Sequence, residues 1–268
     1  MSLTEPSLET EYVRAYGQHN FVSVTGATVS AISQPTWEDF AGALEAASYL
    51  GNIILSPELI TSSEELLKVV PDSRAEIEAR VEETRQLSFK IPDTLIVLGT
   101  ATFDSPSGRP ANSQLFIQDG AVVAQNNKRY SYYPLEKRVF TMQQTTARPQ
   151  SPSRRFVGMI CSDLLGEGAS STSNVLSVGS DEAGPPPIVG MGTESVLFSS
   201  RWAVSVQSAF DIDQYNINRE DWFRRALEKR MLLLFRKYPA LREVIMCDSL
   251  ISTSGVEDPF NAHITRKI

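Results

Sequence analysis

The chain has 268 residues, a formal net charge of -7, 41% hydrophobic residues and 21% charged residues. That length can bury a sizeable core, and the balance excludes general disorder. An acidic chain without a Lys/Arg stripe interleaved with aromatics excludes nucleic acid as an expected partner. No apolar run approaches the roughly 20 residues that cross a bilayer, and the first residues are acidic and polar, so a cytoplasmic protein is expected. With only two cysteines and two histidines, a disulfide framework and a tetrahedral zinc site are not expected.

Residues 1–19 are polar without periodicity and read as an N-terminal arm, leaving 20–268 as a single domain. Residues 21–29 are rich in β-branched side chains and read as one strand. A helix then starts at 33–36, with Pro35 as its signal, and Trp37, Phe40, Leu44 and Ala47 define a buried face. Gly51 closes it, and 52–56 is a short apolar strand of the kind buried on both faces, followed at its C-terminal end by Pro57 and Glu58. A second helix over 73–89 turns Ile77, Val81, Thr84 and Leu87 inward and pairs Glu76 with Arg80 outside. Residues 94–100 form another apolar strand.

A Ser/Pro/Gly turn at 105–110 leads to a hairpin, 113–118 and 121–126 around Asp119-Gly120, with Lys128 just past its second strand. Residues 141–155 read as a polar surface connection. The run Val157 to Leu164, Val-Gly-Met-Ile-Cys-Ser-Asp-Leu, reads as a buried strand that ends by presenting Cys161. Residues 166–192, dense in Gly, Ser and Pro, form the longest loop. A strand over 195–199 precedes a helix over 219–238, capped by Asn218 and stopped by Pro239, with Trp222, Ala226, Met231 and Leu234 as core. Arg224, Arg225, Lys229 and Arg230 read as its solvated face. A last strand over 243–250 leaves a tail of 18 residues.

Chemistry must be sought away from histidine. His19 and His263 stand near opposite ends, neither at metal-ligand or general-base spacing, which argues against Ser-His-Asp and Cys-His devices. If Cys161 reacts, its proton must go to a carboxylate or a lysine. Glu58, Lys128 and Cys161 each follow a strand, and together these residue types can carry out acyl transfer. A nearby ammonium lowers a thiol pKa, and a carboxylate can accept its proton. Charge that develops on the attacked group would be stabilised by Lys128 and the Ser162 N–H, worth roughly 3 kcal/mol per donor. Glu58 would then protonate leaving ammonia and activate water. A lone cysteine in an apolar strand is usually a small core residue, which is the reading kept for Cys247. Asp163 is read as fixing the turn after Cys161 by accepting backbone N–H groups.

The three segments Ile53-Ile54-Leu55-Ser56-Pro57-Glu58, the hairpin leading to Lys128, and Gly158-Met159-Ile160-Cys161-Ser162-Asp163 resemble, in order and spacing, the carbon-nitrogen hydrolase (nitrilase) superfamily. Glu136 in Pro134-Leu135-Glu136 stands where that family places a second glutamate that holds the lysine and water. The resemblance covers about residues 20–250. It implies an α/β fold, a four-layer αββα sandwich with, here, a shortened C-terminal edge. It also implies a homodimer or higher oligomer and cofactor-free hydrolysis of a small-molecule amide or nitrile through a cysteine thioester.

The chain departs from the pattern in several places. Ser162 replaces a usual aromatic, Lys128 is followed by Arg-Tyr-Ser-Tyr-Tyr, and the loop after Gly166 and the tail after Leu250 are unusual. Cys-x-Asp leans toward an amidase over a nitrilase. The alternatives are a catalytically idle relative that binds or regulates, and an acyltransferase that passes the same thioester to an amine.

Overall fold

The computed structural model describes residues 6–14, 17–46, 51–62, 74–105, 107–131, 134–142, 156–164, 192–201, 219–248 and 261–268. Six strands make one sheet: β2 (Gly17–Val22), β3 (Thr28–Ser33), β4 (Ile53–Leu55), β5 (Leu95–Thr102), β6 (Ala111–Gln118) and β7 (Ala121–Asn127), in that spatial order. Five make the other, in the order β1 (Leu8–Val13), β11 (Ala262–Lys267), β10 (Glu243–Asp248), β9 (Ser195–Ser200) and β8 (Phe156–Ile160). The central strands β3, β4 and β5 run parallel, as do β8, β9 and β10.

Both faces of these central strands are covered, which is why they read as nearly continuous apolar runs, whereas the edge strands β1, β2 and β7 are partly exposed. The period of two sorts their side chains into separate layers. Val29, Ala31, Ile53, Leu55, Leu95 and Val97 meet Leu197, Ile245, Cys247 and Ile264 between the sheets. Ile32, Ile54, Ile96 and Leu98 point the other way, onto Trp37, Phe40 and Leu44 of α1 (Trp37–Glu45) and Leu87 of α2 (Arg74–Ser88). On the far side Met159, Val196, Phe198, Val244 and Met246 pack under Ala226, Leu227, Met231 and Leu234 of α4 (Arg219–Lys237). The layers are helix, sheet, sheet, helix, as the αββα expectation requires. A short helix, α3 (Pro134–Val139), follows the hairpin.

Four expectations change. Residues 8–13 are not a non-periodic lead-in: they pair along their length with β11. Residues 21–29 are not one strand but parts of β2 and β3 around a turn, where Ser23 accepts from the Gly26 N–H and Gly26 takes φ +85, an angle that glycine reaches without strain. The stretch after Leu250 is more than a tail, because β11 inserts between β10 and β1 and completes that edge. The basic group on the last helix is not one solvated face: Arg230 is buried, and Arg224 lies over the Tyr12 ring while donating to Glu220. Of the remaining readings, Ala47, residues 143–155, residues 165–191, the Asn218 cap and the Trp222 side chain lie outside the described residues.

Candidate active site

Glu58 follows β4, on a turn wrapped closely around β5. The Ser56 N–H donates to Val97 O, Ser56 Oγ accepts from the Gly99 N–H at 2.8 Å, and the Ile60 N–H donates to Gly99 O. Only glycine fits at 99, because a Cβ there would collide with the Pro57 carbonyl oxygen. The Glu58 N–H reaches across to Ser200 O at 3.2 Å, at the end of β9 in the other sheet. The carboxylate is thus fixed where the C-terminal ends of parallel strands from both sheets meet.

Lys128 follows β7, and its N–H donates to Asn112 O at 2.8 Å. Its Nζ donates to Glu58 Oε1 at 2.7 Å and to Glu136 Oε1 at 2.5 Å. Pro134 opens α3 at the first helical position, which suits its fixed φ, and puts Glu136 in the first turn, facing the ammonium. The Lys128 and Glu58 side chains are 3% and 4% exposed, so this is a charge cluster withdrawn from water. Glu58 Oε1 also accepts from Asn112 Nδ2 at 2.6 Å.

Cys161 ends β8 and opens the 3₁₀ turn Cys161–Leu164. Its φ is +39, a conformation that costs a non-glycine residue about 1–3 kcal/mol and turns the chain sharply off the strand. Its Sγ lies 4.0 Å from the carbonyl oxygen of Arg201, just past β9. Ser162 Oγ donates to Tyr130 O at 2.5 Å, and Asp163 Oδ1 accepts from the Arg129 and Tyr130 N–H groups at 2.9 and 3.0 Å. Asp163 therefore does accept backbone N–H groups, but from the segment after Lys128 rather than from its own turn.

The site's electrostatics follow from burial and from two carboxylates sharing one cation. Burial disfavours the Lys128 ammonium, yet Glu136 and Glu58 outweigh it and hold the pKa well above the ordinary lysine value. Burial pushes the Cys161 thiol up and Glu58 adds to this, while Lys128 pulls it down without prevailing. The expectation that the ammonium would lower the thiol pKa is thus reversed in the net. Burial also lifts Asp163 to about 7 against the opposing Arg129 N–H.

Glu58, Lys128 and Glu136 are brought together, Cys161 is close enough to feel all three charges, and Ser162 and Asp163 brace the turn. Asn112 was not singled out in the sequence: it stands just before the expected hairpin strand, and the observed strand starts earlier, at Ala111. The available signal was a cluster of polar residues in the first half of a buried strand, with Gln114 two residues on from Asn112 and so on the same face. Gln114 donates to Leu197 O and Ser199 Oγ and so ties the sheets beneath the site. Among the described residues no group of three His, Cys, Asp or Glu is arranged to hold a metal, and no helix is long and apolar enough to cross a membrane.

No protein-family model matches the chain, and no curated protein matches it in sequence. Solved structures do match in shape. Saccharomyces cerevisiae Nit3, a member of branch 10 of the nitrilase superfamily, aligns over 99% of this chain and 90% of its own, with 12% identity and a TM-score of 0.51. A mutant of the amidase from Nesterenkonia sp. AN1, with the acetamide moiety of fluoroacetamide added covalently at its active-site cysteine, aligns over 88% of this chain and 87% of its own, with 13% identity and a TM-score of 0.52. The chain spans 39% of the length of the glutamine-dependent NAD+ synthetase from Acinetobacter baumannii, which covers 91% of this chain at 14% identity with a TM-score of 0.49. The chain has the carbon-nitrogen hydrolase (nitrilase) superfamily fold.

Proposed function

We propose that the chain hydrolyses a small-molecule amide through a thioester on Cys161. The observation that carries this reading is the buried Lys128 ammonium held between Glu58 and Glu136 within electrostatic reach of the thiol. Because the thiol is not ionised in advance, Glu58 takes the Sγ proton as sulfur adds to the amide carbon. Its Oε1 is occupied by Lys128 and Asn112, which leaves Oε2 as the acceptor. Lys128 and the Ser162 N–H stabilise the oxyanion. The C–N bond then breaks, Glu58 returns its proton to the departing nitrogen, and ammonia leaves. Water, deprotonated by Glu58, attacks the thioester and releases a carboxylic acid and the free thiol.

The amidase described above, with its covalently modified cysteine, supports this reading by analogy of fold. The same proposal has the chain acting as one domain that takes in β1 and β2, in a homo-oligomer, in the cytoplasm, where two free cysteines are at home. Intact-mass spectrometry after incubation with a panel of amides tests it. An acyl adduct at Cys161 and ammonia release, both lost in Glu58→Gln, are expected. Turnover undiminished in that variant would remove the carboxylate from the mechanism.

A further inference from the structure

A small apolar cluster joins the two carboxylates that hold Lys128. Leu59, Ile77, Ala101 and Phe140 are buried together, with Phe103, Val139 and Met142 packed against them. Leu59 directly follows Glu58, and Phe140 lies one turn past Glu136, its N–H donating to Glu136 O at 2.9 Å. The chain neighbours of both glutamates on the Lys128 ammonium therefore meet in one apolar core.

Each neighbour sits there against a local cost. Leu59 has φ +53, a left-handed angle that glycine takes freely and leucine rarely does. Such a residue persists only where its surroundings over-determine it, and the Leu59 side chain, 6% exposed, is held by this cluster. Helix α3 has six residues, too few to stand as a helix on its own. Its Lys137 and Arg138 are exposed, so Val139 and the following Phe140 supply its apolar anchorage among the described residues. Arg109 Nη1 on Lys137 O and the Thr141 N–H on Pro110 O pin its end. Two carboxylates on one ammonium repel each other, so packing has to hold them in place.

We propose that this cluster is a strut that fixes the separation of Glu58 and Glu136 across Lys128, with Leu59 and Phe140 as its positioning residues. The Cys161 thiol feels that separation, because both carboxylates and the ammonium act on it. Only the effect on turnover rests on the amidase reading.

Crystallography and alkylation test the strut. In Phe140→Ala the Lys128–Glu136 contact should open beyond hydrogen-bond distance while Lys128–Glu58 is kept; retention of both contacts overturns the proposal. Phe140→Leu should restore the wild-type contact, and where circular dichroism shows Phe140→Ala unfolded, Phe140→Val takes its place with the same expected outcomes. Glu136 raises the thiol, so the pH midpoint of Cys161 alkylation by iodoacetamide should move to lower pH, with buried Cys247 as internal control. Glu136→Gln should give the same shift, with none beyond it in the Phe140→Ala/Glu136→Gln double variant. A shift that adds in the double variant would mark water entering the site and overturn the role of Phe140. Leu59→Gly suits φ +53 and removes only the side chain. It should displace Glu58 in the crystal and lower the same midpoint; a silent variant would show that the backbone turn alone places Glu58 and overturn the role of Leu59. In Phe140→Ala, kcat for ammonia release should fall roughly 10- to 100-fold with KM little changed, and Phe140→Leu should recover it. If the wild type releases no ammonia from any amide tested, only the amidase reading falls, and the contacts and midpoints still decide the strut. If it does, and the contacts stay closed in the variants, only the strut falls.

Discussion

Asp163 Oδ1 accepts the Arg129 N–H at 2.9 Å, and this one bond joins the turn that carries Cys161 to the segment that carries Lys128. Among the described residues the other carboxyl oxygen, Oδ2, is buried without a hydrogen-bond partner, a position that suits a protonated acid.

The pH dependence of stability follows from that. With a folded-state value of about 7, above that of an unfolded aspartate, the native state holds the proton more tightly. Asp163 therefore contributes stability that is present at low pH and lost as pH rises from about 4 to about 7, at most about 1.4 kcal/mol per pH unit. Urea denaturation of Asp163→Asn, which keeps an accepting Oδ1, should lack this component. An unchanged slope would count against it.

His263 acts in the opposite sense. It is fully buried on β11, its ring 5.5 Å from that of Tyr12, and burial lowers it to about 3. The unfolded chain takes up a proton that the native state refuses, so stability falls as pH drops from about 6.5 toward 3. His263→Phe should flatten this acid limb in the same denaturation series, and an equally steep limb would refute the assignment.

Lys128 is the sole cation bonded to Glu58 among the described residues. Lys128→Met removes the cation between Glu58 and Glu136 and leaves Glu58 buried beside a like charge, which should cost about 3–5 kcal/mol. Adding Glu58→Gln and Glu136→Gln should recover most of this loss, measured as the shift in denaturation midpoint. A triple variant as unstable as the single one would locate the cost in packing instead.

Two glycines report how tightly the site is built. A Cβ at Gly99 would press on the Pro57 backbone, whereas one at Gly158 would meet the side-chain amide of Gln114. Backbone yields less than a side chain, so Gly99→Ala should be the costlier change, about 1–3 kcal/mol or more, and should depress turnover by displacing Glu58. Equal costs would show that the turn can shift.

Asn112 is a positioning residue for Glu58. Loss of a hydrogen bond to a charged group in Asn112→Ala should lower kcat roughly 10- to 100-fold with a much smaller change in KM. A purely structural role would instead show as lost stability with kcat retained.

The apolar strands, the helix faces at Trp37, Phe40 and Leu44, the hairpin around Asp119-Gly120 and the order Glu58, Lys128, Cys161 were all legible in the sequence, because each is written in local periodicity or in residues next to a strand end. The turn at Ser23 to Ala27 was hidden by a run of β-branched residues with no proline or paired turn signal. The pairing of β1 with β11 was hidden more deeply, since two termini separated by some 250 residues carry no local mark of their partnership. Sequence alone thus determined which residue types stand at the ends of which strands. Only tertiary structure decided the distances at which Glu58 and Glu136 share Lys128, that Asn112 holds Glu58, that Asp163 reaches the segment after Lys128, and that burial raises the Cys161 thiol. Those outcomes depend on distances across two sheets and on the water excluded between them.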